Sequence, residues 1–149
     1  MTTAGSAKTI LVVDDHPQLL DLVKRSLELL GHYQVFTAED GAQGLERYME
    51  IRPDCVVIDV KMPGVDGYQL VRAIRGDPET ARTPLVILSA MAQEKDQLGG
   101  LLAGADAYLL KPVEPPDLVA AIDRAIALSE EERLQRLKNL AEQDEPPNT

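Results

Sequence analysis

Short apolar runs alternate with segments of helical spacing along most of the chain, and this alternation limits the fold more than any other feature. The runs predicted as strands cover residues 9–13, 34–38, 55–58, 85–88 and 107–110. The segments predicted as helices cover residues 17–30, 41–51, 68–75, 94–103 and 116–128. Continuous apolar strands indicate burial on both faces, which is typical of a parallel sheet covered by helices. The pattern therefore predicts an α/β fold with a doubly wound, five-stranded parallel sheet.

Three segments lie outside this unit, which is predicted to span residues 8–128. Residues 1–7 are predicted to be a flexible N-terminus. Ser129 and the acidic residues after it resemble a capping box, which predicts a further helix over 129–142 with Leu134, Leu137 and Ala141 on one side. This helix is open to four interpretations: a linker, a dimerisation element, the stub of a longer chain, or a solvated and partly frayed tail. The polar stretch 143–149 is predicted to be disordered.

Composition narrows the classes of partner. A length of 149 residues suits one domain. The net charge of −10 disfavours direct binding to nucleic acid, because an acidic surface repels phosphate backbones. No apolar run approaches the roughly 20 residues that a membrane span needs, and no secretory signal is visible. The lone Cys55 heads an apolar run and is predicted to be a buried, unreactive side chain. These features lead us to expect a cytoplasmic protein without a membrane partner.

Polar residues end four of the five predicted strands. Asp14 and Asp15 follow the first strand, Asp59 the third, Ser89 the fourth and Lys111 the fifth. In an open parallel sheet, ligands bind in the crevice beyond the carboxyl ends of the strands. We therefore expect these side chains to meet at one edge of the sheet, although the chain holds them far apart.

The chemistry of this predicted cluster points to phosphoryl transfer. Two like charges 4 Å apart repel by about 4 kcal/mol at an effective dielectric constant of about 20, so several carboxylates need positive charge among them. Lys111 supplies one charge, and Mg²⁺, which prefers carboxylate, water and phosphate oxygens, would supply more. An aspartate can also attack phosphorus to form an aspartyl phosphate. A metal ion, a hydroxyl and an ammonium are suitable groups to surround the phosphoryl oxygens.

Four motifs carry a resemblance to a known family. They are VVDDH at 12–16, VIDVKMPGVDG at 57–67, LSA at 88–90 and LKP at 110–112. Over about residues 8–128 the chain resembles a response-regulator receiver domain of two-component signalling, the CheY-like family. The resemblance implies a flavodoxin-like (βα)5 three-layer sandwich with strand order 2-1-3-4-5.

The resemblance also implies roles for the acidic residues. Asp59 corresponds to the phosphoacceptor. Asp14 and Asp15 correspond to the acidic pair that holds Mg²⁺, or Mn²⁺, together with Asp59. The family's metal also takes a backbone carbonyl from the residue two positions after the phosphoacceptor, which is Lys61 in this chain.

The remaining roles concern the switch itself. Ser89 corresponds to the hydroxyl residue that turns toward the phosphoryl group, and Lys111 to the lysine that pairs with the phosphoryl oxygens. The bond from Lys111 to Pro112 is usually cis in relatives. Tyr108 corresponds to the aromatic residue that moves inward on activation, although a half-buried strand tyrosine is also an ordinary structural feature.

The implied partners are a sensor histidine kinase or a histidine phosphotransfer protein as phosphodonor. The implied output face comprises the fourth helix, fifth strand and fifth helix, about residues 94–128, where a partner or a second copy of the chain would bind as a homodimer. Two other classes stay open. A Mg²⁺-dependent phosphohydrolase usually has an acid where this chain has Lys61, and a phosphorylation-independent module would not need the complete polar set.

His16 and the pair Gly99 and Gly100 have less specific interpretations. His16 lies beside the acidic pair, and we predict a surface or packing role for it because Mg²⁺ prefers oxygen ligands. Gly99 and Gly100 weaken the fourth helix by about 1 kcal/mol each. Since this helix moves in relatives, low intrinsic stability could assist switching.

Overall fold

The computed structural model describes residues 7–60, 66–90 and 93–144, which form alternating strands and helices. The strands are β1 (Thr9–Val13), β2 (Gln34–Ala38), β3 (Cys55–Val60), β4 (Leu85–Ser89) and β5 (Ala107–Leu110). The helices are α1 (Pro17–Gly31), α2 (Gly41–Ile51), α3 (Asp66–Gly76), α4 (Glu94–Ala103), α5 (Pro115–Ala127) and α6 (Glu130–Asp144). No helix in these ranges combines the length and apolar character that a membrane crossing requires.

The strands form one parallel sheet in the order β2-β1-β3-β4-β5, as the sequence predicted. β2 is less apolar than the other strands, which predicts a position at an edge of the sheet, and the strand order confirms this position. Side chains alternate across the sheet: Leu11 and Val13 pack beneath α2 and α3, whereas Ile10 and Val12 pack beneath α1 and α5. Both faces of the sheet are therefore buried, which explains why the strands are continuously apolar.

The inner faces of α1, α3 and α5 complete these two layers. Their buried residues are Leu20 and Leu27 of α1, Leu70, Val71 and Ile74 of α3, and Leu118, Ala121, Ile122 and Ala125 of α5. Cys55 is fully buried in the layer beneath α1 and α5, and its burial raises the pKa of the thiol. The prediction that Cys55 is buried is confirmed, and its lack of reactivity stays a prediction.

The helical spacing of residues 41–51 predicts an inner face of α2 with Ala42, Leu45 and Met49, and this prediction is wrong. Ala42, Leu45 and Met49 are exposed, while Gly44 and Tyr48 face the core. A Cβ at Gly44 would lie 3.1 Å from side-chain atoms of both Leu70 and Val13, so the missing side chain lets α2 approach the sheet closely. The apolar spacing of α2 alone did not show this, because a glycine contributes nothing to a hydrophobic pattern.

The end of α1 differs by one residue from the prediction. A glycine after Leu30 predicts that the helix stops there, but the helix includes Gly31, and His32 takes the left-handed cap conformation with φ 57°. A left-handed residue at this position ends a helix in the same way as a glycine would.

The extension beyond α5 is a helix packed against the domain. Its capping box is present, since the amide of Glu132 donates to Oγ of Ser129 at 3.1 Å and the amide of Ser129 donates to Oε1 of Glu132 at 3.1 Å. The predicted apolar side was wrong in part: Leu134 is 55% exposed, and the inward residues are Arg133, Leu137 and Leu140. The described part of α6 thus contacts the domain through Arg133 and α4.

Candidate phosphoacceptor site

The carboxyl ends of β1, β3, β4 and β5 bring the predicted polar residues to one edge of the sheet. Asp59 lies within β3 opposite Leu88 of β4, and Ser89 occupies the next position of that strand. Lys111 follows β5, where its amide donates to the carbonyl of Ser89 at 2.8 Å. Asp14 follows β1, and its amide continues the sheet by donating to the carbonyl of Ala38 at 3.0 Å. Strand register alone therefore places residues from four parts of the chain together.

Asp59 is the centre of this cluster. Its side chain is 3% exposed, and its Oδ2 accepts a charge-assisted hydrogen bond from Nζ of Lys111, which is 30% exposed. The carboxyl group of Asp14 lies close enough to hydrogen-bond that of Asp59 when one of them is protonated. When both are ionised neither can donate, and Oδ1 of Asp59 is buried without a hydrogen-bond partner among the described residues.

Burial and the adjacent Asp14 carboxyl determine the acidity of Asp59. Burial is the largest cause and Asp14 adds to it, so the pKa of Asp59 rises from its ordinary value of 3.8 to about 6, although Lys111 acts in the opposite direction. The surrounding protein therefore does not fully stabilise the negative charge of ionised Asp59. A further positive charge at this position would stabilise it.

The second acidic residue and the histidine after it lie beside Asp14. One ligand atom from each of Asp14, Asp15 and His16 falls within 4.8 Å of the others. Nδ1 of His16 is 3.3 Å from Oδ1 of Asp15 and 3.5 Å from Oδ1 of Asp14, and its backbone amide donates to the same Asp14 oxygen at 3.0 Å. The sequence suggested only a surface or packing role for His16. Its ring is half-exposed, but it also contacts both carboxylates.

These donors fit a hard divalent cation. Carboxylate oxygens of Asp14 and Asp15, together with the buried Oδ1 of Asp59, which has no hydrogen-bond partner within residues 7–60, 66–90 and 93–144, are the ligands that Mg²⁺ prefers. The negative charge around Asp59 exceeds what Lys111 offsets, and a cation at this edge would balance it. Lys61, whose backbone carbonyl the sequence predicted as a further ligand, lies outside the described residues.

Ser89 and Tyr108, the predicted switch residues, occupy neighbouring strands. Ser89 is fully buried, and Tyr108 pairs with Ile87 of β4 and is half-buried. The ring of Tyr108 packs against the backbone of α4: a Cβ at Gly100 would lie 2.7 Å from its Cδ2. Gly100 therefore permits a close approach between α4 and β5, which the sequence reasoning missed when it treated Gly99 and Gly100 only as helix-weakening residues. The predicted cis bond between Lys111 and Pro112 is present.

A second charged cluster lies at the opposite end of the sheet and was not predicted. Asp106, immediately before β5, has a side chain that is 2% exposed and accepts from Nη2 of Arg75 at 3.0 Å and from Nε of Arg133 at 2.6 Å. Its Oδ2 also accepts from the amide of Leu85 at 2.9 Å. One sequence signal could have found it, namely an acidic residue placed directly before a buried strand.

Comparison with known proteins identifies the family. The sequence model of a protein family, the response regulator receiver domain, matches residues 10–123 of this chain. The chain belongs to the receiver domain family of two-component response regulators. Receiver domains are signalling proteins rather than enzymes of the usual kind, and the family binds Mg²⁺ at an acidic cluster.

Relatives of two lengths match this receiver domain. The transcriptional regulatory protein PrrA of Mycobacterium leprae is 42% identical over 122 residues, which cover 82% of this chain and 51% of PrrA. The protein PilH of Pseudomonas aeruginosa is 38% identical over 118 residues, covering 79% of this chain and 97% of PilH. This chain thus spans about half the length of PrrA but almost all of PilH.

A solved structure gives the same architecture. The receiver domain of DrrB activated by BeF₃ aligns with a TM-score of 0.70 and 31% identity, covering 83% of this chain and 100% of that one. The predicted flavodoxin-like, CheY-like architecture is therefore confirmed by solved relatives as well as by the strand order.

Proposed function

We propose that this chain is the phosphoacceptor module of a two-component system, with Asp59 taking a phosphoryl group from a phosphohistidine. The donor would be a sensor histidine kinase or a histidine phosphotransfer protein in the cytoplasm. The observation that carries this proposal is the buried carboxyl of Asp59. One of its oxygens pairs with Lys111, and the other, beside Asp14, has no hydrogen-bond partner in the part of the chain that the structure describes.

In the proposed reaction, a carboxylate oxygen of Asp59 attacks the phosphorus atom. The new O–P bond forms as the P–N bond breaks, and the electron pair of that bond leaves with the imidazole of the donor. Lys111 already contacts Asp59, so its ammonium can pair with the phosphoryl oxygens without a large movement. Mg²⁺, when bound by Asp14, Asp15, Asp59 and the carbonyl of Lys61, would neutralise negative charge on those oxygens.

The switching step would follow from the neighbouring strands. Ser89 would turn its hydroxyl toward the phosphoryl group, and Tyr108 would move with it, which would shift α4 because the Tyr108 ring packs on Gly100. The output surface would then be the face formed by α4, β5 and α5, within a receiver unit of residues 8–128. A partner protein or a second copy of the chain would bind this face.

Phosphorylation by a small phosphodonor tests the proposal. Acetyl phosphate with Mg²⁺ should add the mass of one phosphoryl group to the intact chain, and the adduct should be lost in Asp59→Asn and when EDTA removes the metal. Asp21→Asn, which makes the same change on the exposed face of α1, should be labelled like the wild type.

Other results would support other functions. Sustained turnover of a phosphoester would indicate a phosphohydrolase. Absence of labelling together with absence of Mg²⁺ binding would indicate a phosphorylation-independent binding module.

A further inference from the structure

The helix α6 is anchored to the receiver domain by a buried ion pair. Nε of Arg133 donates to Oδ1 of Asp106 at 2.6 Å, and its Nη2 contacts Oδ2 at 3.3 Å, so both carboxylate oxygens are engaged. The side chains of Arg133 and Asp106 are 12% and 2% exposed. Arg136, one turn later, donates from Nη1 to the backbone carbonyl of Asp106 at 3.1 Å. Charge-assisted, two-point contacts of this kind are among the stronger hydrogen bonds in proteins.

The receiver domain holds Asp106 in place independently of α6. Arg75 at the end of α3 donates to Oδ2 of Asp106, and the amide of Leu85 donates to the same oxygen. Arg75 also donates from Nε to the carbonyl of Gly104 at 2.8 Å. The carboxylate that receives Arg133 is therefore fixed to the start of β4.

The apolar side of α6 rests on α4, a different element from the one that fixes Asp106. Leu137 and Leu140 lie with Leu101 and Gly104 around a cavity between the two helices, and both leucines are half-buried. The opposite side of α6 is polar and exposed, including Lys138. One helix thus contacts both Asp106, at the N-terminal end of β5, and the C-terminal end of α4.

The same α4 also contacts Tyr108 through Gly100. If Tyr108 and α4 shift, Leu101 shifts with them, whereas Gly104 and Asp106 stay bound to Arg75. A displacement of Leu101 would therefore separate α4 from the leucines of α6 while Arg133 stays on Asp106. Docking of α6 therefore favours the arrangement in this structure, in which Lys111 pairs directly with Asp59.

We propose that α6 is an intramolecular regulatory segment that docks through Arg133 and Leu137 onto the α4–β5 end of the domain and opposes activation at Asp59. The inference rests on the proposed phosphoacceptor function. By thermodynamic linkage, a ligand that activates the Asp59 site weakens the docking of α6, and release of α6 strengthens the binding of that ligand by the same factor.

A pair of charge-matched variants in the full chain tests this linkage. Arg133→Gln removes the anchor, whereas Lys138→Gln makes the same change on the exposed side of the same helix. Amide hydrogen exchange should show protection of α6 reduced about tenfold or more in Arg133→Gln and unchanged in Lys138→Gln. Beryllofluoride with Mg²⁺, as a phosphoryl analogue, should reduce the protection of α6 in the wild type.

The affinity for beryllofluoride gives the reciprocal measurement. Titration followed by amide NMR should show binding about fivefold or more tighter in Arg133→Gln than in Lys138→Gln. Leu137→Ala, which leaves the Asp106 ion pair intact, should shift the affinity in the same direction if Arg133→Gln does not fold.

Three results would overturn the inference. Unchanged protection of α6 in both the Arg133 and Leu137 variants would show that these residues do not anchor it. Equal beryllofluoride affinities with α6 released would show that docking and activation are not coupled. Failure of the wild type to bind beryllofluoride would remove the proposed function, and this inference with it.

Discussion

Asp59→Asn should stabilise the metal-free protein at neutral pH, because burial and the neighbouring Asp14 disfavour the negative charge of the Asp59 carboxylate. The pKa of Asp59 in the folded chain is about 6, against 3.8 ordinarily. At about 1.4 kcal/mol for each pH unit, this difference corresponds to an upper limit of about 3 kcal/mol. The variant also removes the partner of Lys111, which is 30% exposed and can be solvated by water instead. We expect a net gain of about 1–2 kcal/mol in the free energy of unfolding.

The pH dependence has a defined sign. A carboxyl group whose folded pKa is raised binds its proton more tightly in the folded state, so its contribution to stability is present below pH 3.8 and is lost as pH rises through about 6. The advantage of Asp59→Asn over the wild type should therefore be small at pH 4 and full at pH 7.5.

Urea unfolding in EDTA, followed by far-UV circular dichroism because the chain has no tryptophan, measures this difference. Asp21→Asn, at a position 59% exposed, serves as control and should change stability by less than about 0.5 kcal/mol. Added Mg²⁺ should stabilise the wild type more than Asp59→Asn and so reduce or reverse the difference. An Asp59→Asn variant less stable than the wild type at pH 7.5 without metal would refute the electrostatic reasoning.

Three further predictions concern residues away from the phosphoacceptor. Asp106→Ala should lower the free energy of unfolding by about 3–5 kcal/mol, since it leaves the guanidinium groups of Arg75 and Arg133 without their buried partner; a loss below about 1 kcal/mol in urea unfolding would contradict this. Gly99→Ala, where a Cβ meets nothing within 4 Å, should stabilise the protein by about 0.5–1 kcal/mol. Gly100→Ala should instead destabilise it by about 1–2 kcal/mol, because the added Cβ would be 2.7 Å from the Tyr108 ring. Equal thermal midpoints for the two alanine variants would show that this contact is not restrictive.

The sequence was sufficient for the order of the elements and for the location of the site. Runs of apolar residues bounded by turn residues are local signals, and they predicted β1, β5, α2 and α4 with the same bounds as the structure. The rule that parallel strands end at one edge then placed Asp14, Asp59 and Lys111 together without any contact information. The roles of these residues remain proposals, but their proximity is a consequence of strand order, which the alternation of strands and helices restricts strongly.

The tertiary structure decided the rotation of the helices and the long-range partners. Gly44 and Tyr48 turn inward on α2, and Arg133 turns inward on α6, because these positions depend on which surface lies opposite them rather than on local periodicity. Arg75 and Arg133 are 31 and 27 residues from Asp106 in the chain, and a pairing over such distances leaves no local pattern. The same holds for Tyr108 against Gly100, since the absence of a side chain has meaning only when another element fills the space.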